Sequence, residues 1–178
     1  MLQKYNRWAV LRVFFDNPED RFSLQEISRR TGLAPTSVKC HLLTLERQGL
    51  VRCEKRRAGT RIFPTYAANA ESKDYRRYRM FDVIERLHAS GLIQRIIDEA
   101  SPGCIILFGS AGRGEDIAGS DIDLYVLAKK KGFELKSYER QLKRRVELHF
   151  NEQFRSYPKE LRNSIANGIK VYGILDVV

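Results

Sequence analysis

The sequence predicts an α+β protein of two domains, and three observations predict it. Residues 6–48 repeat apolar side chains at helical spacing and lead into a short hairpin pattern. Residues 104–126 read as strand, glycine turn and strand, and between the two regions residues 69–100 carry a helical stripe interrupted at Gly91. With 178 residues, 43% of them hydrophobic, the chain can bury two modest cores. The expected limits are 1–68 for the first domain, 69–91 for a helical linker and 92–178 for the second domain.

The first helix covers Asn6 to Phe15, with Trp8, Leu11, Val13 and Phe14 as its apolar side chains. Ser23-Leu24-Gln25-Glu26 is a capping box, in which the serine hydroxyl and the glutamate carboxylate each satisfy a free N–H at a helix start. It opens a second helix with Leu24, Ile27 and Ser28 inward, and Gly32 ends it. Pro35 begins a third helix running to about Gln48, where Val38, Leu42 and Leu45 share one stripe and Gly49 stops the run. Leu50 to Cys53 and Arg61 to Pro64 then read as two short strands around Lys55-Arg56-Arg57-Ala58-Gly59-Thr60, a hairpin tip with three consecutive cations.

Three helices followed by a basic hairpin resemble a winged helix-turn-helix DNA-binding domain. The resemblance implies that the third helix enters the major groove while the hairpin touches the backbone. The side chains off the buried stripe, Thr36, Ser37, Cys40, Thr44 and Arg47, with Lys39 on the flank, are then the base-reading or phosphate-contacting candidates. Lys55, Arg56, Arg57 and Arg61 would neutralise phosphates without reading sequence. A net charge of +10 and a pI near 9.7 favour nucleic acid as the partner, and the winged-helix resemblance implies that it is double-stranded DNA. Leu43, outward on the same helical wheel, keeps a second reading open, in which the domain serves protein contacts or dimerisation.

Asn69 to Ala100 reads as two helices broken at Gly91, the first with Tyr75, Tyr78, Phe81, Ile84 and Leu87 on one stripe, the second bringing Ile93, Ile96 and Ile97 onto the second domain. An aromatic stripe of this kind is a packing surface, for docking the domains or pairing two protomers. Cys104 to Phe108 is apolar, rich in β-formers and closed by Gly109, as a buried strand would be. A glycine at the strand end lets backbone approach a ligand, and a helical turn beginning at Ser110 would aim its N–H groups and hydroxyl at phosphate oxygens. Ser120 to Val126 alternates, so that Asp121 and Asp123 fall on one face and Ile122, Leu124 and Val126 on the other. Two carboxylates one strand repeat apart suit one or two Mg²⁺ ions bridging to a nucleoside triphosphate.

Gly109-Ser110, ten residues, then Asp121-Ile122-Asp123 resembles the signature of the polymerase-beta-like nucleotidyltransferases, specifically their minimal group, and Phe108 and Arg113-Gly114 fit its Phe-Gly-Ser-x-x-Arg-Gly pattern. The resemblance implies that Ser110 contacts the triphosphate and that Asp121 and Asp123 hold Mg²⁺. Gly109, Ser110, Arg113 and Ser120 are the nucleotide-binding candidates, and Asp121, Asp123 and Glu147 the catalytic and metal-binding ones. Glu147 enters because many members add a third acid on a later strand. Arg145 to Phe150 alternates, with Arg145, Glu147 and His149 on one face, so Glu147 sits either beside the aspartates on a central strand or in solvent on an edge strand. His149 is open to an orienting or proton-transfer role, or to none. Arg144 and Arg145 are either phosphate clamps or a solvated charge run. Glu160 to Gly173 reads as a closing amphipathic helix in which Ile165, Ile169 and Tyr172 cover the sheet, again similar to minimal nucleotidyltransferases.

Cys40, Cys53 and Cys104 are scattered without Cys-x-x-Cys spacing, which fits a reducing compartment and implies no zinc site. Apolar stretches far short of a bilayer span and an N-terminus interrupted by Lys4, Asn6 and Arg7 point to a cytoplasmic protein without membrane contact. The resemblances together imply an enzyme that transfers a nucleoside monophosphate from a triphosphate to an acceptor, tethered to nucleic acid by the winged helix. Two alternatives stand beside it: a transcriptional regulator whose transferase fold senses nucleotide, and an antitoxin that nucleotidylates a partner toxin. Residues 127–178 contain no dedicated acceptor pocket, so a second protomer or a partner protein is expected to complete the site.

Overall fold

In a computed structural model, residues 6–58 and 61–176 are described, with backbone alone for 56–58 and 61–62. The chain divides into two compact units, Met1–Arg79 and Met80–Val178.

The first unit contains α1 (Asn6–Asp16), β1 (Arg21–Ser23), α2 (Leu24–Thr31), α3 (Pro35–Arg47), β2 (Val51–Ala58) and β3 (Arg61–Ala68). The capping box forms: the Glu26 N–H donates to Ser23 Oγ at 3.3 Å and the Ser23 N–H to Glu26 Oε2 at 2.6 Å. The Ser23 N–H and, at 2.8 Å, the Ser23 hydroxyl both donate to the Glu26 carboxylate and hold it below the ordinary carboxylate range. Gly32 then closes α2 at φ +70°, and Pro35 occupies the first turn of α3. Val38, Leu42 and Leu45 are buried against Val10, Leu11, Phe14, Phe22 and Ile27, the core of this unit. The hairpin β2–β3 is longer than its sequence pattern suggests, and it gains a third antiparallel strand, since β1 pairs with β3.

The long helix α4 (Lys73–Ala89) departs from the stripe its sequence suggests. Tyr75, Val83 and Leu87 are buried and Phe81 is 45% exposed. Each step of three falls about 60° short of a full turn at 3.6 residues per turn, so a run at constant spacing of three rotates off the face. The buried row instead follows Tyr75, Arg79, Asp82, Val83 and Leu87. Tyr75 belongs to the core of the first unit, where its hydroxyl donates to the Phe14 carbonyl at 2.9 Å; Val83 and Leu87 belong to that of the second.

In the second unit, α5 (Leu92–Ala100) leads to a four-stranded mixed sheet of order β6-β5-β4-β7. Its strands are β4 (Cys104–Phe108), β5 (Ile122–Val126), β6 (Val146–Phe150) and β7 (Ile169–Gly173), connected through α6 (Gly109–Arg113), α7 (Lys136–Leu142) and α8 (Lys159–Ala166). Strand alternation splits the packing: Ile105, Leu107, Leu124 and Val126 face the α5 side, while Ile106, Phe108 and Tyr125 pack with Ile165 of α8. The expected closing helix ends at Ala166, and the residues after it form β7 against β4. A Cβ at Gly168 would lie 2.6 Å from the Leu107 carbonyl oxygen, so a glycine turns the chain there. Ile165, Ile169 and Tyr172 satisfy helical spacing, but Ile169-Lys170-Val171-Tyr172 also alternates, and pairing with β4 decides between the two; Tyr172 is exposed and does not cover the sheet. Among the described residues no helix is long and apolar enough to cross a membrane.

Candidate functional site

The end of β4 and the start of β5 meet at Gly109 and Asp123. Gly109 has φ +69°, and a Cβ there would fall 2.4 Å from Asp123 Oδ2, so the carboxylate rests against bare backbone. Asp123 pairs in register with Phe108 of β4 on one side and with Glu147 of β6 on the other. β6 is an edge strand of the described sheet, yet its parallel register still brings Glu147 beside Asp123. His149, two residues further on the same face, places Nε2 3.5 Å from Asp123 Oδ1 and 3.8 Å from Glu147 Oε1. The imidazole packs edge-on to Phe108, ring centroids 5.1 Å apart. Ligand atoms of Asp123, Glu147 and His149 all lie within 4.8 Å of one another, and Glu147 is the most exposed of the three. The two carboxylates offer the hard oxygen donors that suit a divalent cation such as Mg²⁺, whereas an imidazole nitrogen suits softer metals and stands beside that pair rather than in its ligand set.

Asp121 stands just before β5, which begins at Ile122, and is not part of that group. Its carbonyl oxygen accepts from Arg144 Nη2 at 2.9 Å. The same guanidinium donates to the Ser120 carbonyl at 2.8 Å and to Asp116 Oδ2 at 2.6 Å, with the Asp116 side chain fully buried. Arg144 is therefore neither a phosphate clamp nor part of a solvated run; it fastens the loop that delivers the two aspartates, while Arg145 is exposed. Ser110 lies half-buried in the first turn of α6, and Arg113 at its end is exposed with Nε donating to Glu115 Oε2 at 2.8 Å. The Ser120 hydroxyl closes its own turn by accepting the Ile117 N–H at 3.0 Å. Period-two alternation pointed to the shared face of Glu147 and His149, but no local pattern marks Asp116, whose partner is 28 residues away.

On α3, Thr36, Lys39, Cys40 and Arg47 are exposed and Ser37 and Thr44 half-buried, the Thr44 hydroxyl donating to the Cys40 carbonyl at 3.1 Å. Leu43 is 44% exposed on the same helix. Lys55 is exposed on β2, whereas the side chains of Arg56, Arg57 and Arg61 lie outside the described residues.

Residues 90–173 match the family described as Polymerase beta, Nucleotidyltransferase, and residues 8–54 match the IclR helix-turn-helix domain. No curated protein matches the chain. A solved structure, "Possible transcriptional regulator from Methanosarcina mazei Go1", is similar at 15% identity over 55% of this chain and 82% of that one, with a TM-score of 0.37, too slight a likeness to carry an argument.

Proposed function

We propose, for a chain that joins an IclR-type helix-turn-helix region to a polymerase-beta-like nucleotidyltransferase domain, that it transfers a nucleoside monophosphate from a triphosphate to an acceptor and binds duplex DNA through its winged helix. The observation that carries this reading is the convergence of Asp123, Glu147 and His149 beside the side-chain-free Gly109. Asp123 and Glu147, with Asp121 one strand repeat away, would hold Mg²⁺. That ion supplies neutralisation of the charge on the attacked and leaving phosphates. The Ser110 hydroxyl and the exposed Arg113 would orient the triphosphate tail. An acceptor oxygen would attack the α-phosphorus as pyrophosphate leaves, and His149, whose Nε2 lies 3.5 Å from Asp123 Oδ1, would take the acceptor's proton. Holding the reacting oxygens in line supplies much of the rate. In the proposed division of labour residues 1–68 bind DNA, 69–91 link, and 92–178 catalyse in the cytoplasm.

A second reading, a regulator that binds nucleotide without turnover, is favoured by the carboxylate of Asp121 lying outside the close group. Radiolabelled triphosphate, Mg²⁺ and cell extract separate the two. Wild-type protein is expected to yield a labelled acceptor and Asp123→Ala none, while calorimetry shows Mg²⁺-triphosphate binding by wild type alone. Binding without any labelled product would establish the sensor; unchanged binding by Asp123→Ala would remove both readings.

A further inference from the structure

Strand β3 sends its residues alternately to two faces, and the face turned away from the core carries an uncovered aromatic ring. Tyr66 and Ala68 belong to the core of the first unit, so period two leaves Phe63, Thr65 and Ala67 on the opposite face. Phe63 is 47% exposed and makes no ring or cation contact among the described residues. β1 pairs with residues 65–67 and stops short of it. On β2, Arg56, Glu54 and Arg52 stand opposite Phe63, Thr65 and Ala67, and on β1 Arg21 stands opposite Ala67. Arg61, two residues before Phe63, takes the same face by register. We infer that this face binds single-stranded nucleic acid, with one base stacked on the Phe63 ring and arginines holding the phosphates beside it. The surface is separate from α3, so the inference stands apart from the duplex reading of that helix and from the transferase chemistry.

Charge selects the partner. Arg21, Arg52, Arg56 and Arg61 share the face with one carboxylate, Glu54, which accepts from Arg21 Nε at 2.6 Å. Arg52 is exposed, has no partner among the described residues and stands four residues from Arg56, about 13 Å along the strand. A second copy of this face would be repelled by its like charge. A polyanion whose every unit carries a flat ring matches both the arginines and the phenyl group, because a guanidinium takes a phosphate through two parallel N–H···O bonds and any base can stack. In a duplex both faces of a base are covered by its neighbours, whereas a single strand can splay a base out onto a side chain that stands up from a sheet. The β1 side of the face is unsuited to phosphate: Glu19, Asp20 and Glu54 line a cleft there with Arg21 and Lys55, beside Thr65. Its carboxylates outnumber its cations, which directs the bound strand toward β2, where Arg52 and Arg56 stand.

The test is fluorescence anisotropy of the full chain with two labelled probes, an oligodeoxythymidine and a duplex of mixed sequence. Wild type is expected to bind the oligodeoxythymidine, and Phe63→Ala to weaken that binding by roughly five- to a hundredfold while leaving the duplex unaffected. Phe63→Trp should bind as wild type does, and its added indole should lose emission as the oligodeoxythymidine is titrated, beyond any change that Trp8 shows in wild type. No binding of oligodeoxythymidine by wild type, or equal affinity in Phe63→Ala, would overturn the inference and leave the duplex reading standing. Equal weakening of both probes would overturn it by moving Phe63 to the duplex surface. A wild-type dimer in sedimentation that Phe63→Ala dissolves would give the face to a second copy instead.

Discussion

The helix-turn-helix region and the acid group are fastened by hydrogen bonds of very different reach. Around α2 the partners are three to five residues apart: Ser23 with Glu26, the Thr31 hydroxyl with the Ile27 carbonyl, the Ser28 hydroxyl with the Leu33 carbonyl. Around β5 they are 23 to 28 residues apart, as Arg144 grips Asp121, Ser120 and Asp116. A local cap forms and breaks with its own helix. The loop before β5 instead depends on α7 and β6 being in place, so its geometry is a property of the whole sheet.

The largest effect expected from this difference is at Arg144. Arg144→Ala removes the guanidinium from the buried Asp116 carboxylate, and breaking such a pair costs about 3 to 5 kcal/mol. Urea unfolding should show that loss, with Arg144→Lys intermediate because an ammonium cannot reach three acceptors in a fork. A loss under about 1 kcal/mol, the scale of an ordinary hydrogen bond, would mean that the loop holds itself and the contrast fails.

Next in size is the effect on the DNA binding proposed for the winged helix. Replacing Lys55, Arg56 and Arg57 together with alanine should weaken binding to all duplexes alike. It should also flatten the salt dependence by up to about 0.9 log units for each phosphate no longer neutralised, read by fluorescence anisotropy across a salt series. A change in sequence preference instead would place base reading on the hairpin. Ser23→Ala should cost about 1 kcal/mol and be confined to the first unit, which amide exchange over residues 6–68 would register. The smallest effect is a pH dependence at the same cap. Because Glu26 is held below its ordinary value, its contribution is complete above that value and is lost as pH falls through the lowered one. Thermal melts of wild type and Glu26→Gln should therefore converge on acidification through that range and separate above it.

Local chemistry made the first unit legible. A capping box, a proline, a left-handed glycine and a three-membered apolar stripe each act within one or two turns, and each element appears where its signals stand. The same holds for Cys104–Phe108 and for the Glu147 and His149 face, since alternation is also local. Partnering was not legible. β1 is three residues long and exists because β3 accepts it, and β7 is a strand because β4 offers an edge to a sequence that also fits a helix. The close group that includes His149 depends on β5 and β6 pairing in parallel, a register that no spacing within either strand encodes.

The long helix α4 supplies Tyr75 and Tyr78 to one core and Val83, Ile84 and Leu87 to the other. Anyone seeking to dissect the protein, by limited proteolysis or by expressing half of the gene, therefore has no clean place to cut between residues 73 and 89. A fragment ending at residue 68 leaves Phe14 without the ring packed beside Phe15 and without the hydroxyl bonded to its own carbonyl, and one beginning at residue 92 uncovers Ile93 and Ile96. Workable halves overlap, each carrying its own copy of this helix.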